Sequence, residues 1–165
     1  IKKSRTVFGT MIDPHTSWLL MRSLETLKIR MEAAADNAEK IARHLLQHPK
    51  IEKVYYLGYT KINNPSQAAI LEKQYTSNGA MISFDVKGSE KNAFAFLNNL
   101  KHIKLAVSLG GTESLAEHPY SMTHADEPDE EKNRLGLTEK MVRLSVGIEN
   151  PQDLILDIEQ ALQAV

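Results

Sequence analysis

The residue whose chemistry stands out is Arg143. It lies in Val142-Arg143-Leu144-Ser145-Val146, where strand alternation puts Val142, Leu144 and Val146 on one face and Arg143 with Ser145 on the other. A guanidinium there either meets solvent or pairs. Its flat fork matches a carboxylate in two parallel hydrogen bonds, the chemistry of amino acid recognition. Ser108-Leu109-Gly110-Gly111 is a second candidate. Paired glycines allow positive φ and close backbone approach, so the Ser108 hydroxyl or nearby backbone N–H groups could receive a carboxylate. A tight turn after a strand explains the same residues. Phosphate-cradling loops need more glycines and a lysine, which this segment lacks. His44 and His48, four apart on a helix, have the spacing of two ligands to one metal. Leu45, Leu46 and Gln47 between them exclude the general-base glutamate of a metalloprotease helix, and two surface histidines near a helix end is the simpler reading. His118, His124 and Asp126 are metal-ligand types without periodic spacing, and ordinary loop packing accounts for them. No Ser–His–Asp arrangement and no lysine in a Schiff-base setting is recognisable. The expectation is therefore no metal site and no catalytic residue in this chain.

Composition bounds the partners. The chain has 165 residues, 42% hydrophobic and 25% charged, enough for one domain with its own core. Lys plus Arg number 20 against 21 Asp plus Glu, so no global field holds nucleic acid or an anionic membrane, and neither partner is expected. The chain has no cysteine, which excludes disulfide frameworks, zinc ribbons and cysteine nucleophiles from it. No apolar run approaches the roughly 18 residues of a membrane span, and no secretory signal opens the chain. It begins Ile1-Lys2-Lys3 without methionine, the expected look of a fragment or processed product.

The elements that must position these residues follow from periodicity. Asp13-Pro14 signals a helix start, and Leu20, Leu24, Leu27, Met31, Ala34, Ala38, Ile41 and Leu45 form one stripe, predicting a single long N-terminal helix that stops at His48-Pro49. Strands are predicted at Val54–Leu57, Ala80–Val86, Lys104–Val107 and Val142–Val146. Residues 59–66 are turn-rich, a short helix is expected at about Ser66–Gln74, and Ser89-Glu90 opens a helix burying Ala93, Phe94, Leu97 and Leu100. Asn150-Pro151 caps a last helix with Leu154, Ile155, Ile158, Ala161 and Leu162 inward, and Asp126–Glu131 reads as a solvated loop. The expected class is α+β: a small, mainly antiparallel sheet of about four strands, helices on one side, preceded by the long helix.

Several segments in register carry a resemblance. Val107-Ser108-Leu109-Gly110-Gly111-Thr112-Glu113-Ser114-Leu115, Glu117-His118-Pro119, Ser121-Met122-Thr123-His124-Ala125 and Val142-Arg143-Leu144-Ser145-Val146-Gly147-Ile148-Glu149 resemble consecutive signatures of one family. It is the pyridoxal-phosphate-dependent enzymes of cysteine and methionine metabolism, which includes cystathionine γ-synthase, cystathionine γ- and β-lyase and methionine γ-lyase. Arg22–Leu27, Asn37-Ala38, Gly79–Phe84 and Asp153–Leu162 agree, so the resemblance covers essentially the whole chain.

That resemblance implies the C-terminal, substrate-carboxylate-binding domain (residues 1–165) of a fold-type I, aminotransferase-like enzyme. The larger N-terminal cofactor domain, with its lysine in a Ser-x-Thr-Lys segment, is absent; none of the 14 lysines here has that context. It further implies that Arg143 clamps the substrate α-carboxylate, helped by Ser108 and the backbone at Leu109, with Thr123 supporting the arginine. Aligning a sulfur amino acid on pyridoxal phosphate is the implied task. No cofactor is expected covalently in this chain, which alone would be inactive. Ser23 departs from the family's usual glycine. Val107 stands where cystathionine-handling members tend to carry glutamate, which resembles the methionine γ-lyase branch; cystathionine γ-synthase or a cystathionine lyase is the alternative. A homotetramer is the implied state of the complete enzyme, and the cytoplasm is the simplest expectation from a chain with no signal and no cysteine. From another class, a free-standing small-molecule-binding or interaction domain remains as the rival reading.

Overall fold

The computed structural model describes residues 2–9, 11–60 and 64–165. The chain divides into two compact units, Ile1–Arg30 and Met31–Val165.

In the first unit, α1 (Lys2–Phe8) ends at Gly9, whose φ of +87° is a helix-terminating conformation open to glycine. Helix α2 (Pro14–Leu24) starts as expected: the Asp13 carboxylate accepts from His15 N–H at 2.9 Å and Thr16 N–H at 3.1 Å. The single long helix is corrected here. Helical hydrogen bonding breaks at Glu25-Thr26, and α3 (Leu27–Gln47) begins anew. The Ser23 hydroxyl donates to the Leu19 carbonyl at 2.9 Å, a back-bond that bends helices, while Arg30 Nη2 donates to the Ser23 carbonyl at 2.7 Å. The stripe divides as well. Leu20, Leu24, Leu27 and Met31 are exposed, whereas Ala34, Ala38, Ile41 and Leu45 are buried.

In the second unit, β1 (Ile51–Tyr55), α4 (Pro65–Gln74), β2 (Met81–Val86), α5 (Glu90–Asn99), β3 (Lys104–Leu105), β4 (Leu115–Glu117), α6 (Asp129–Arg134), β5 (Met141–Ser145) and α7 (Pro151–Leu162) follow in order. The turn-rich stretch expected at 59–66 includes 61–63, which lie outside the described residues. The sheet is β1-β2-β5-β4-β3, antiparallel except for β3 against β4. It is thus a mixed, still mainly antiparallel sheet of five strands where about four were expected, with β3 against β4 its parallel pair. The extra strand, β4, is three residues long, buried throughout, and ends in a glutamate, so no apolar alternation announced it. The acidic stretch is corrected too: Asp129–Arg134 is a helical turn, with Glu131 paired to Arg134 and acidic residues favoured at its N-terminus.

One sheet face carries Ile82, Phe84, Val142, Leu144 and Ala116, covered by α3, α5 and α7 through Ala38, Ile41, Phe96, Leu154 and Ile158. Phe84 and Phe96 meet edge to face, 5.6 Å between centroids. In α5 Ala93 and Leu97 are buried as expected, but the inward aromatic residue is Phe96, and Phe94 is 37% exposed. Among the described residues no helix is long and apolar enough to cross a membrane.

The turn after β5 is tied down from three sides. Asn37 on α3 donates to the carbonyls of Gly147 (3.1 Å) and Glu149 (2.8 Å), the Gly147 N–H donates to Ser114 Oγ (2.9 Å), and Ser114 in turn donates to Glu149 Oε2 (2.9 Å). A Cβ on Gly147 would lie 2.3 Å from the Thr112 carbonyl oxygen, a backbone atom that cannot swing away. Gly147→Ala is therefore expected to cost about 2–3 kcal/mol of stability. Chemical denaturation measures it, and a cost below about 0.5 kcal/mol would show that the turn yields.

Candidate active site

The other face of the sheet is polar. Ser83, Arg143 and Glu117 are direct cross-strand partners in one row, on β2, β5 and β4. Alternation forces this: Arg143 must leave the core face because Val142 and Leu144 occupy it.

The guanidinium of Arg143 is held on several sides. Nη1 pairs with Glu117 Oε1 at 2.6 Å, and Nη2 donates to the Val107 carbonyl at 2.8 Å and, at the limit of a hydrogen bond, to the Ser108 carbonyl at 3.5 Å. Glu117 is fully buried, while the Arg143 side chain is 20% exposed. Thr123 Oγ1 donates to Glu117 Oε1 at 3.2 Å. Among the described residues, two buried side-chain polar atoms have no hydrogen-bond partner: Arg143 Nε and Glu117 Oε2. A buried guanidinium N–H without an acceptor is costly unless something supplies one.

Residues 107–111 form a strap over this arginine. At one end the Ala106 N–H donates to the Ala116 carbonyl (2.9 Å), and at the other the Gly110 N–H donates to Ser145 Oγ (3.0 Å). Gly110 turns with φ +75°, and Val107, Ser108 and Leu109 between the anchors are exposed.

The structure brings Arg143, Val107 and Ser108 together directly. Ser108 approaches through its carbonyl, and Thr123 is one step removed, acting on Glu117. Leu109 stays on the exposed strap. Glu117 and Ser145 were not singled out from sequence. The signal that could have found Glu117 was its place in the Glu117-His118-Pro119 signature, to which no role was attached.

Beside Arg143 opens a cleft of about 590 Å³ whose lining includes Lys53, Tyr55, Asn64, Gln67, Met81 and Ser83. Its wall is rigid where Tyr55 donates to buried Asp85 at 2.8 Å, the same carboxylate receiving Thr138 Oγ1 at 2.6 Å. Burial, with the Asp85 hydrogen bond adding to it, pushes the Tyr55 phenol up to about 12, so it stays protonated at neutral pH.

The histidine candidates are engaged elsewhere. His44 Nε2 lies 2.6 Å and His48 Nε2 3.5 Å from Glu159 Oε1, joining α3 to α7. His118 is buried, with Nδ1 on Ser121 Oγ and Nε2 on the Glu139 carbonyl, both 2.7 Å. His124 Nδ1 lies 3.0 Å from Thr123 Oγ1.

The site is thus an α+β domain that presents a guanidinium, partly neutralised from behind, beside a cleft. Comparison with known proteins places it further. The family model described as Cys/Met metabolism PLP-dependent enzyme matches residues 1–163, and the chain belongs to that family. It is 45% identical over 157 residues to L-methionine gamma-lyase of Fusobacterium nucleatum subsp. polymorphum, covering 95% of this chain and 39% of that protein. It is 46% identical over 157 residues to cystathionine gamma-lyase of Bacillus subtilis, covering 95% and 40%. The crystal structure of cystathionine gamma-lyase from Lactobacillus plantarum complexed with L-serine superposes with a TM-score of 0.86 at 39% identity, covering 96% of this chain and 41% of that one. The chain thus spans about two fifths of the length of the curated relatives it matches.

The family depends on pyridoxal phosphate, but the residues around Arg143 do not fit as its seat. The cofactor needs an amine able to form an imine and several donors around its phosphate. Here the guanidinium is already held by Glu117 and the Val107 carbonyl, and Ser83, Asn64 and Gln67 of the cleft are uncharged. The lysine lining the cleft, Lys53, lies with Nζ 4.5 Å from the centroid of the Tyr55 ring.

Proposed function

We propose that this chain is the C-terminal, substrate-carboxylate-binding domain of a pyridoxal-phosphate-dependent lyase acting on sulfur amino acids. The observation that carries the reading is the buried Nε–H of Arg143 without an acceptor, on a fork otherwise held by Glu117 and the Val107 carbonyl. A substrate α-carboxylate supplies what is missing. Ser108 and Leu109 flank it from the strap, and Thr123 steadies Glu117. The remainder of the enzyme holds the cofactor and the catalytic lysine, and no catalytic residue is assigned here. The relatives named methionine and cystathionine gamma-lyase support a γ-lyase, and the apolar Val107 at the site favours the methionine γ-lyase type. The complete protein works as a homotetramer, on the strength of the family resemblance.

On this reading the chain alone is inactive. Mixed with pyridoxal phosphate, it is expected to develop no stable imine absorbance. A persistent band that disappears on replacing one particular lysine would overturn the division of labour proposed here.

A further inference from the structure

We infer that Glu117 is the positioning residue of the carboxylate site: it holds the guanidinium plane of Arg143 so that the Nε edge is presented to the ligand. This rests on the reading of Arg143 as the carboxylate receiver and adds to it. Glu117 is fully buried and directly opposite Arg143 in the β4–β5 register, so the backbone itself sets the pair. Its Oε1 takes Nη1 of Arg143 at 2.6 Å and Thr123 Oγ1 at 3.2 Å, which pins the far corner of the guanidinium.

What remains of the fork is the side-on pair, the Nε–H and the adjacent Nη2–H, which run parallel and match two carboxylate oxygens. Nε has no acceptor, and Nη2 rests on carbonyls of the exposed strap, contacts that a ligand can replace. An arginine side chain is long and rotamer-rich. Left alone, it must be ordered at the moment of binding; a buried acceptor on the neighbouring strand orders it beforehand. Charge works in the opposite sense, because Glu117 repels an incoming carboxylate. The contribution assigned to Glu117 is therefore geometric. An acceptor at the Oε1 position, rather than a negative charge, is what the site needs.

The test uses the complete holoenzyme and compares kcat/KM for an α-amino acid substrate with that for its α-carboxamide. A merely structural defect lowers both and leaves their ratio unmoved. Arg143→Ala is expected to collapse the ratio. Glu117→Leu, which fills the space without an acceptor, is expected to lower it at least about tenfold. Glu117→Gln retains or raises it. Should Glu117→Leu fail to fold, Thr123→Val removes one of the two groups on Oε1 and is expected to lower the ratio roughly threefold. If Arg143→Ala keeps the ratio, the reading of Arg143 falls and this inference with it. If Arg143→Ala collapses it while Glu117→Leu and Thr123→Val stay within about twofold of wild type, the inference alone falls. A Gln variant as poor as the Leu variant overturns the geometric account.

Discussion

Replacing Arg143 with alanine in the complete protein is expected to lower kcat/KM for α-amino acid substrates by about 2–5 kcal/mol, roughly 30- to 5,000-fold. The size follows from where the fork sits. A carboxylate seated on a solvent-exposed arginine gains little, because water competes for both charges. Arg143 has only 20% of its side chain exposed and backs onto a glutamate with none. Pairing there is made at low effective dielectric, and its removal also leaves Glu117 buried without its cation. Folding stability should fall alongside, so steady-state kinetics are read at a temperature well below the variant's own midpoint. Near-wild-type kinetics would remove Arg143 from the site.

The largest effect on stability alone is expected at Asp157. This α7 carboxylate is 2% exposed and accepts the N–H groups of Lys101 (2.9 Å), His102 (3.0 Å) and Ile103 (3.0 Å), with Gln160 Nε2 at 3.0 Å. It closes the segment between α5 and β3, whose donors face no strand or helix. Asp157→Ala orphans several of them and should cost about 3–5 kcal/mol. Burial alone would push this carboxyl up, but the backbone N–H groups outweigh burial and hold it below the usual carboxylate value. A depressed folded-state pKa means that the ionised form is the one folding prefers. The stabilisation is complete above the unfolded value near 4 and drains away as pH falls below that towards the folded value. Urea unfolding of wild type and Asp157→Ala should differ fully at neutral pH and by less near pH 3. A difference independent of pH, or smaller than about 1 kcal/mol at neutrality, would sink this account.

Periodicity was enough for much of the fold. Alternation in Ala80–Val86 and Val142–Val146 assigned core and polar faces correctly, and the Asp13 and Asn150 caps start helices where they were read. These features are local: they depend on the order of neighbours along the chain. Errors arose where a local signal was ambiguous. The stripe from Leu20 to Leu45 is continuous in sequence, but Ser23 and Arg30 satisfy backbone carbonyls at a corner and let the helix break. β4 is so short that only pairing defines it, and its parallel partner β3, expected over Lys104–Val107, is a strand only at Lys104–Leu105, in a pairing that joins residues eleven apart.

Arg143 and Ser108 stand out from strand alternation and the paired glycines, while Val107, Leu109 and Thr123 enter through the family resemblance. Register decided the rest. A strand fixes which face a side chain takes, whatever lies across from it. What lies across depends on which strands pair and at what offset, a property of the closed sheet. Only the tertiary structure put Glu117 against Arg143, set Thr123 on Glu117, laid the Val107 and Ser108 carbonyls over Nη2 and left Nε without an acceptor. The sequence by itself determined that a guanidinium would stand on the polar face of a strand; the packing of distant segments around it decided which of its N–H groups are paired and which is left without an acceptor.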